Sequence, residues 1–172
     1  CALPIFDGQG TRYYYTVIHC DRHWKPTQEL SQFDYLHGYN EGEIRDYEIS
    51  SGTYQPYLHY SITIPNEDVK WSISGNYILV VYEQGYENDP VITRRFMVTD
   101  TKVKITPNVV RPVVVSLQNT HQEVDFNIDI KQLNCSNPRM EFFCTLLQNG
   151  RWDTRIEDIT PRTITGTFLD YN

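Results

Sequence analysis

Short runs rich in aromatic and β-branched residues recur along this chain, each cut off by glycine, proline or asparagine. Nowhere does an apolar period of about 3.6 residues persist long enough to predict a sizeable helix. The run RYYYTVIHC at 12–20 is the plainest of these strands. Tyr13, Tyr15, Val17 and His19 fall on one face of an extended chain, and Tyr14, Thr16, Ile18 and Cys20 on the other. Both faces are largely apolar, which predicts a central strand covered on both sides. Further strands are expected at 44–49, 59–64, 76–82 and 91–98. After 101–106 leads away, the pattern restarts at 113–117, 123–130, 140–147, 152–156 and 163–169. Asn149-Gly150, between LLQ and RW, is the signal for a two-residue type I′ hairpin. This punctuation predicts an all-β fold of two immunoglobulin-like β-sandwich units, 1–104 and 105–172. The second is short for a sandwich and is expected to be incomplete.

Composition agrees with a packed, strand-rich chain. There are 13 Tyr against 7 Phe and 3 Trp. Tyrosine suits half-buried strands and interfaces, because its ring buries while its hydroxyl stays paired or wet. The net charge of −7 and the lack of a basic cluster beyond Arg94-Arg95 argue against a nucleic-acid partner. Apolar runs such as Val113-Val114-Val115 are too short to span a bilayer. No charged segment precedes an apolar stretch as in a signal peptide, so the signal of an exported protein would have been removed or would lie outside this sequence. Cys1 at the head could be a lipidated bacterial N-terminus, but a trimmed or renumbered fragment is the favoured reading, since one terminal Cys is a weak signal.

The densest group of potential metal ligands is His19, Cys20, Asp21 and His23. Spacing of i and i+4 converges on a helix, but here a strand runs into a loop, so neither metal nor cofactor is expected. No nucleophile elbow, zinc-protease helix or phosphate loop occurs. Nothing singles out a working pair among Asp34, Asp46, Glu48, Glu67 and Asp68, which read as solvated charge. No catalytic residue is assigned, and the chain is read as non-enzymatic. Asn66-Glu67-Asp68 lacks the calcium-loop pattern. Asn134-Cys135-Ser136 matches the glycosylation sequon, which in a bacterial protein would be a chance match. Arg94 and Arg95 alternate across a strand, so one is expected to point inward against a carboxylate. Arg151-Trp152 is expected to cap a sandwich edge. Cys135 and Cys144 flank the chain-reversing Asn137-Pro138 and form a possible disulfide; otherwise Cys144 is a buried strand residue.

The stretch 21–42 is longer than a connector needs to be. It is the best candidate for partner contact, through Asp21, Trp24, Tyr35, Tyr39 and Asn40, with Trp24 and Tyr39 as anchors. The competing expectation is that these rings only close the open end of the first sandwich.

The strings YYYTVIHCDRHW, FDYLHGYNEGEIRDYEIS, TYQPYLHYSITIPNED, SGNYILVVYE, TRRFMV, THQEVDF and LQNGRW follow one another in that order. With them the chain resembles the plug protein family of the type IX secretion system of Bacteroidetes, from about Arg12 to the end. The resemblance implies β-sandwich repeats without a cofactor. It implies binding to the periplasmic mouth of the large outer-membrane β-barrel translocon, closing that channel in the idle state. The implied setting is the periplasm at the inner face of the outer membrane, as a monomer within a hetero-complex that does not itself span the membrane. A lipid anchor is implied only if Cys1 is the true mature N-terminus. Residues 1–11 depart from the family pattern, the family continues past Asn172, and Cys135 and Cys144 stand where it leads one to expect none. The alternative function is an exported carbohydrate-binding or carbohydrate-processing accessory module, since exposed Trp and Tyr stack on sugars.

Overall fold

The computed structural model describes residues 2–5 and 11–172, with side chains from residue 11 onward. Cys1, and with it the anchoring expectation, lies outside the described residues. The chain divides into two compact units, Cys1–Asp100 and Thr101–Asn172, and is all-β.

In the first unit the strands are β1 (Ala2–Ile5), β2 (Tyr13–Cys20), β3 (Leu36–Gly38), β4 (Glu41–Glu43), β5 (Asp46–Ile49), β6 (Leu58–Ser61), β7 (Val69–Trp71), β8 (Gly75–Glu83) and β9 (Ile92–Val98). One four-residue helix, α1 (Gln32–Tyr35), precedes β3. The main sheet runs β4-β2-β8-β9, with smaller sheets β1-β6-β5 and β3-β7. β2 is an inner strand, paired antiparallel with β8 from Tyr13↔Glu83 to Cys20↔Asn76. Its alternation is visible in burial: Tyr13, Tyr15 and Val17 are buried, whereas Tyr14, Thr16 and Ile18 are half-buried. The second face is thus less covered than its apolar character led one to expect. The core gathers Tyr13, Tyr15, Val17, Tyr77, Leu79 and Val81 from the main sheet against Tyr35, Leu36, Tyr60 and Val69 from the opposing segments.

Arg94 and Arg95 do alternate across β9. The register sets Arg94 opposite Leu79 and Phe96 opposite Tyr77, both partners being buried, so Arg94 stands on the core side of β9, yet at this edge its side chain is exposed and not buried as an inward arginine would be. The expected carboxylate is missing: among the described residues no ion pair holds Arg94. Arg95 lies over the Trp24 ring at 5.3 Å.

The second unit contains β10 (Lys104–Val110), β11 (Glu123–Asp129), β12 (Cys144–Gln148), β13 (Arg151–Ile159), β14 (Thr163–Thr165) and β15 (Phe168–Asp170). A four-stranded sheet, β10-β11-β15-β14, accompanies the β12-β13 hairpin. Phe126, Ile128, Ile130, Leu169 and Tyr171 form the core, with Phe126 and Tyr171 stacked at 4.4 Å between ring centroids.

Local chemistry overrides the alternation in three places. The valine run at 113–117 is not a strand. It ends in a 3-10 turn, Val115–Leu117, after Pro112, which offers no N–H to a ladder. The expected strand 140–147 begins only at Cys144, because Pro138 starts a short helix, α2 (Pro138–Glu141), at the position proline tolerates best. The expected strand 163–169 is instead a hairpin, β14 to β15, reversed at Gly166 with φ of 61°.

The possible disulfide is not formed: Cys135 and Cys144 are free thiols. Each has a local polar neighbour, Glu141 for Cys135 and the Tyr171 hydroxyl for Cys144. Burial pushes both thiols up, and the Glu141 charge adds to this at Cys135.

Asn149 and Gly150 both take positive φ, 54° and 70°, and Gln148 pairs with Arg151 across them. Arg151 then holds Asp153 with two hydrogen bonds of 3.1 and 2.5 Å at an exposed site. A Gly150→Ala variant is expected to lose about 1 kcal/mol, since a Cβ is disfavoured in the left-handed region. Its added methyl meets no atom within 4 Å, so the loss is conformational. Urea melts of the two proteins measure it, and equal midpoints would show that the turn carries no such strain.

Candidate partner-binding segment

The segment 21–42 is more ordered than a loop. It leaves β2 through a tight turn built on Asp21, whose Oδ1 accepts the backbone N–H groups of His23 at 2.8 Å and Lys25 at 2.9 Å. An aspartate reaching its own downstream backbone is the usual way such a turn is fixed. Those donors hold the Asp21 carboxyl below the usual range. The Asp21 N–H donates to the Lys25 carbonyl and the Trp24 N–H to the Asp21 carbonyl, closing the turn from both sides. Trp24 sits within it at a φ of 64°, a conformation uncommon for a bulky residue and sustained here by these bonds.

Helix α1 follows. The Ser31 N–H and hydroxyl both donate to Asp34 Oδ2 at 2.7 Å, which ties down the first turn and lowers the Asp34 carboxyl. Tyr35 enters the core beside His19 and Tyr77, and its hydroxyl reaches the Val17 carbonyl at 3.4 Å. β3 then pairs with β7, and the Tyr39 N–H donates to the Asp68 carbonyl at 2.7 Å. The Asn40 carbonyl accepts from Thr16 Oγ1 at 2.8 Å, bringing the chain back alongside β2.

The five candidate contact residues therefore divide. Trp24, 8% exposed, and Tyr35, 4% exposed, are packing residues that offer no free ring. Trp24 as an anchor is corrected accordingly: its turn folds it back beneath Arg95. Asp21, Tyr39 and Asn40 are exposed, Tyr39 at 69%. Sequence reasoning missed Phe33, which is 75% exposed. The signal was its spacing from Tyr35: residues two apart on a helical turn point to different faces, so only one of these rings can enter the core.

Next to Asn40 the main sheet carries a paired acid. The Tyr82 hydroxyl donates to Glu41 Oε2 at 2.5 Å, and burial together with that carboxylate pushes the phenol up. His19 is engaged within the chain. Its Nδ1 meets Thr27 Oγ1 at 2.9 Å, and burial lowers its pKa. Among the described residues no three His, Cys, Asp or Glu side chains gather to hold a metal ion. Fold and segment together define an all-β module that shows exposed aromatic rings on an ordered excursion from its main sheet.

Comparison with known proteins gives that module its family. A family model described as type 9 secretion system plug protein 1st domain matches residues 5–100. The chain belongs to the type 9 secretion system plug protein family, a secretion family and not an enzyme family. A crystal structure of a hypothetical protein from Parabacteroides merdae ATCC 43184 is similar, with 30% identity and a TM-score of 0.88. The match covers 99% of this chain and 42% of that one, so the chain spans less than half the length of that relative. No curated protein matches the chain.

Proposed function

We propose that this chain is the N-terminal part of a plug that binds the periplasmic side of the type IX outer-membrane translocon and closes its channel in the idle state. The family match over 5–100 carries this reading. The exposed rings of Phe33 and Tyr39 supply a contact surface consistent with it. Aromatic side chains give large contact area at low entropic cost and dominate interface hot spots. The protein would act from the periplasm at the inner face of the outer membrane, as one subunit of a hetero-complex. Among the described residues no helix is long and apolar enough to cross a membrane. The carbohydrate-module alternative finds no exposed tryptophan, since Trp24 is buried and Trp71 and Trp152 are half-buried, and would rest on exposed tyrosines such as Tyr54 and Tyr86.

Pull-down of outer-membrane complexes with the protein carrying this chain as bait tests the proposal. The translocon barrel should be retained. Tyr39→Ala should weaken capture by about 2 kcal/mol without lowering the melting temperature. Retention of no barrel would refute the plug reading. Unchanged capture by a folded Phe33→Ala, Tyr39→Ala double variant would remove this segment from the interface.

A further inference from the structure

β9 ends its sheet: among the described residues it pairs with β8 alone. Its outer side presents backbone N–H and C=O groups to no strand among the described residues, which is the template on which another strand can add. Beside this edge lies a groove of about 550 Å3. Ile62, Ile64, Trp71, Phe96 and Val98 line it, half-buried and packed on the edge of the core. The sandwich is therefore open along β9, with apolar side chains only partly covered. Arg94, exposed, lines the same groove from the core side of β9, without an ion pair among the described residues.

We propose that the β9 edge accepts an extended protein segment as an added strand, and that this segment carries a carboxylate between apolar side chains. Main-chain hydrogen bonds to β9 would supply affinity, and alternate side chains of the guest would enter the groove. Arg94 sets the choice of guest. A charge beside an open edge is one way edge strands avoid indiscriminate pairing, because a neutral strand laid over the groove would cover the now exposed guanidinium without giving it a partner. A carboxylate at the matching position accepts a two-pronged bond from the same guanidinium and removes that penalty. One residue thus rejects the wrong strand and selects the right one. A second copy of this chain is a poor guest. Pairing β9 with β9 would bring Arg94 and Arg95 of both copies together, and like charges on neighbouring strands destabilise.

The test uses the whole chain and two fluorescein-labelled, end-capped peptides, Thr-Val-Thr-Asp-Thr-Val-Thr and the same peptide with Leu for Asp. Anisotropy titrations should show the acidic peptide binding at least about tenfold more tightly, a difference of about 1.4 kcal/mol. Amide NMR shifts should centre on Ile92–Val98. Arg94→Leu should invert the preference, and Arg94→Gln should abolish it if the leucine variant does not fold. Three results would each overturn the proposal. Neither peptide binds the wild-type chain, so the edge is only blunted. The preference survives in the Arg94 variants. Or the chain dimerises through β9 at the concentrations used.

Discussion

Replacing Tyr77 with alanine is expected to destabilise the first unit by about 4 kcal/mol, in the range seen when a large buried ring is removed. Tyr77 is fully buried at the middle of the core. Its ring lies 5.1 Å from His19, 5.2 Å from Trp71 and 5.6 Å from Phe96, centroid to centroid. These neighbours belong to three different strands, so no single shift can refill the void. The hydroxyl donates to the Ile73 carbonyl at 2.8 Å, and Tyr77→Phe should therefore cost only about 1 kcal/mol. Urea unfolding followed by tryptophan fluorescence separates the two variants. A loss below about 1 kcal/mol for the alanine variant would mean that the ring cluster is not the centre of this core.

Gly42→Ala should lose about 3 kcal/mol, at the upper end of the cost of overpacking. Gly42 faces Tyr15 directly in the β2–β4 register, and the tyrosine ring lies over it. A Cβ at Gly42 would sit 2.5 to 2.6 Å from the ring atoms and hydroxyl of Tyr15. That ring has nowhere to go: it is 1% exposed, and its hydroxyl accepts from Asn66 Nδ2 at 2.8 Å. The penalty is steric, not conformational, since Gly42 is not among the glycines with positive φ. Shortening the obstacle distinguishes the two. In a Tyr15→Leu background the same Gly42→Ala change should cost less by at least about 1 kcal/mol. Strict additivity would assign the loss to the β4 backbone.

Where a segment buries one face and pairs on both sides, its residues announced it. β2 and β8 lie close to where alternation put them, because eight consecutive pairs enforce one register. The Asn149-Gly150 turn was legible for a different reason: few residue pairs accept two positive φ values in succession. The short strands β3, β4 and β7 left no trace, since three residues hold too little alternation to register against the loop around them. The valines at 113–115 misled because β-branching reports fitness for a sheet, not the presence of a neighbour to pair with. At the candidate segment, the abundance of aromatic rings was legible and their division was not. Whether Trp24 or Phe33 faces water depends on the Asp21 turn and the first turn of α1, which exist only once the backbone is folded.

The pairing of β2 with β8 also sets an order of events in time. Tyr13 joins Glu83 and Cys20 joins Asn76, so the central ladder links residues separated by most of the first unit. Closing so long a loop costs entropy before any pair repays it, and topologies dominated by such distant pairings refold in milliseconds to seconds. Synthesised from its N-terminus, the chain cannot complete this ladder until residue 83 is free, and the tyrosine-rich strand must wait unpaired. Stopped-flow refolding should accordingly place the burial of Tyr15 and Val17 in the main kinetic phase, not in a faster one; a burst-phase signal from that strand would show that it finds a partner nearer at hand.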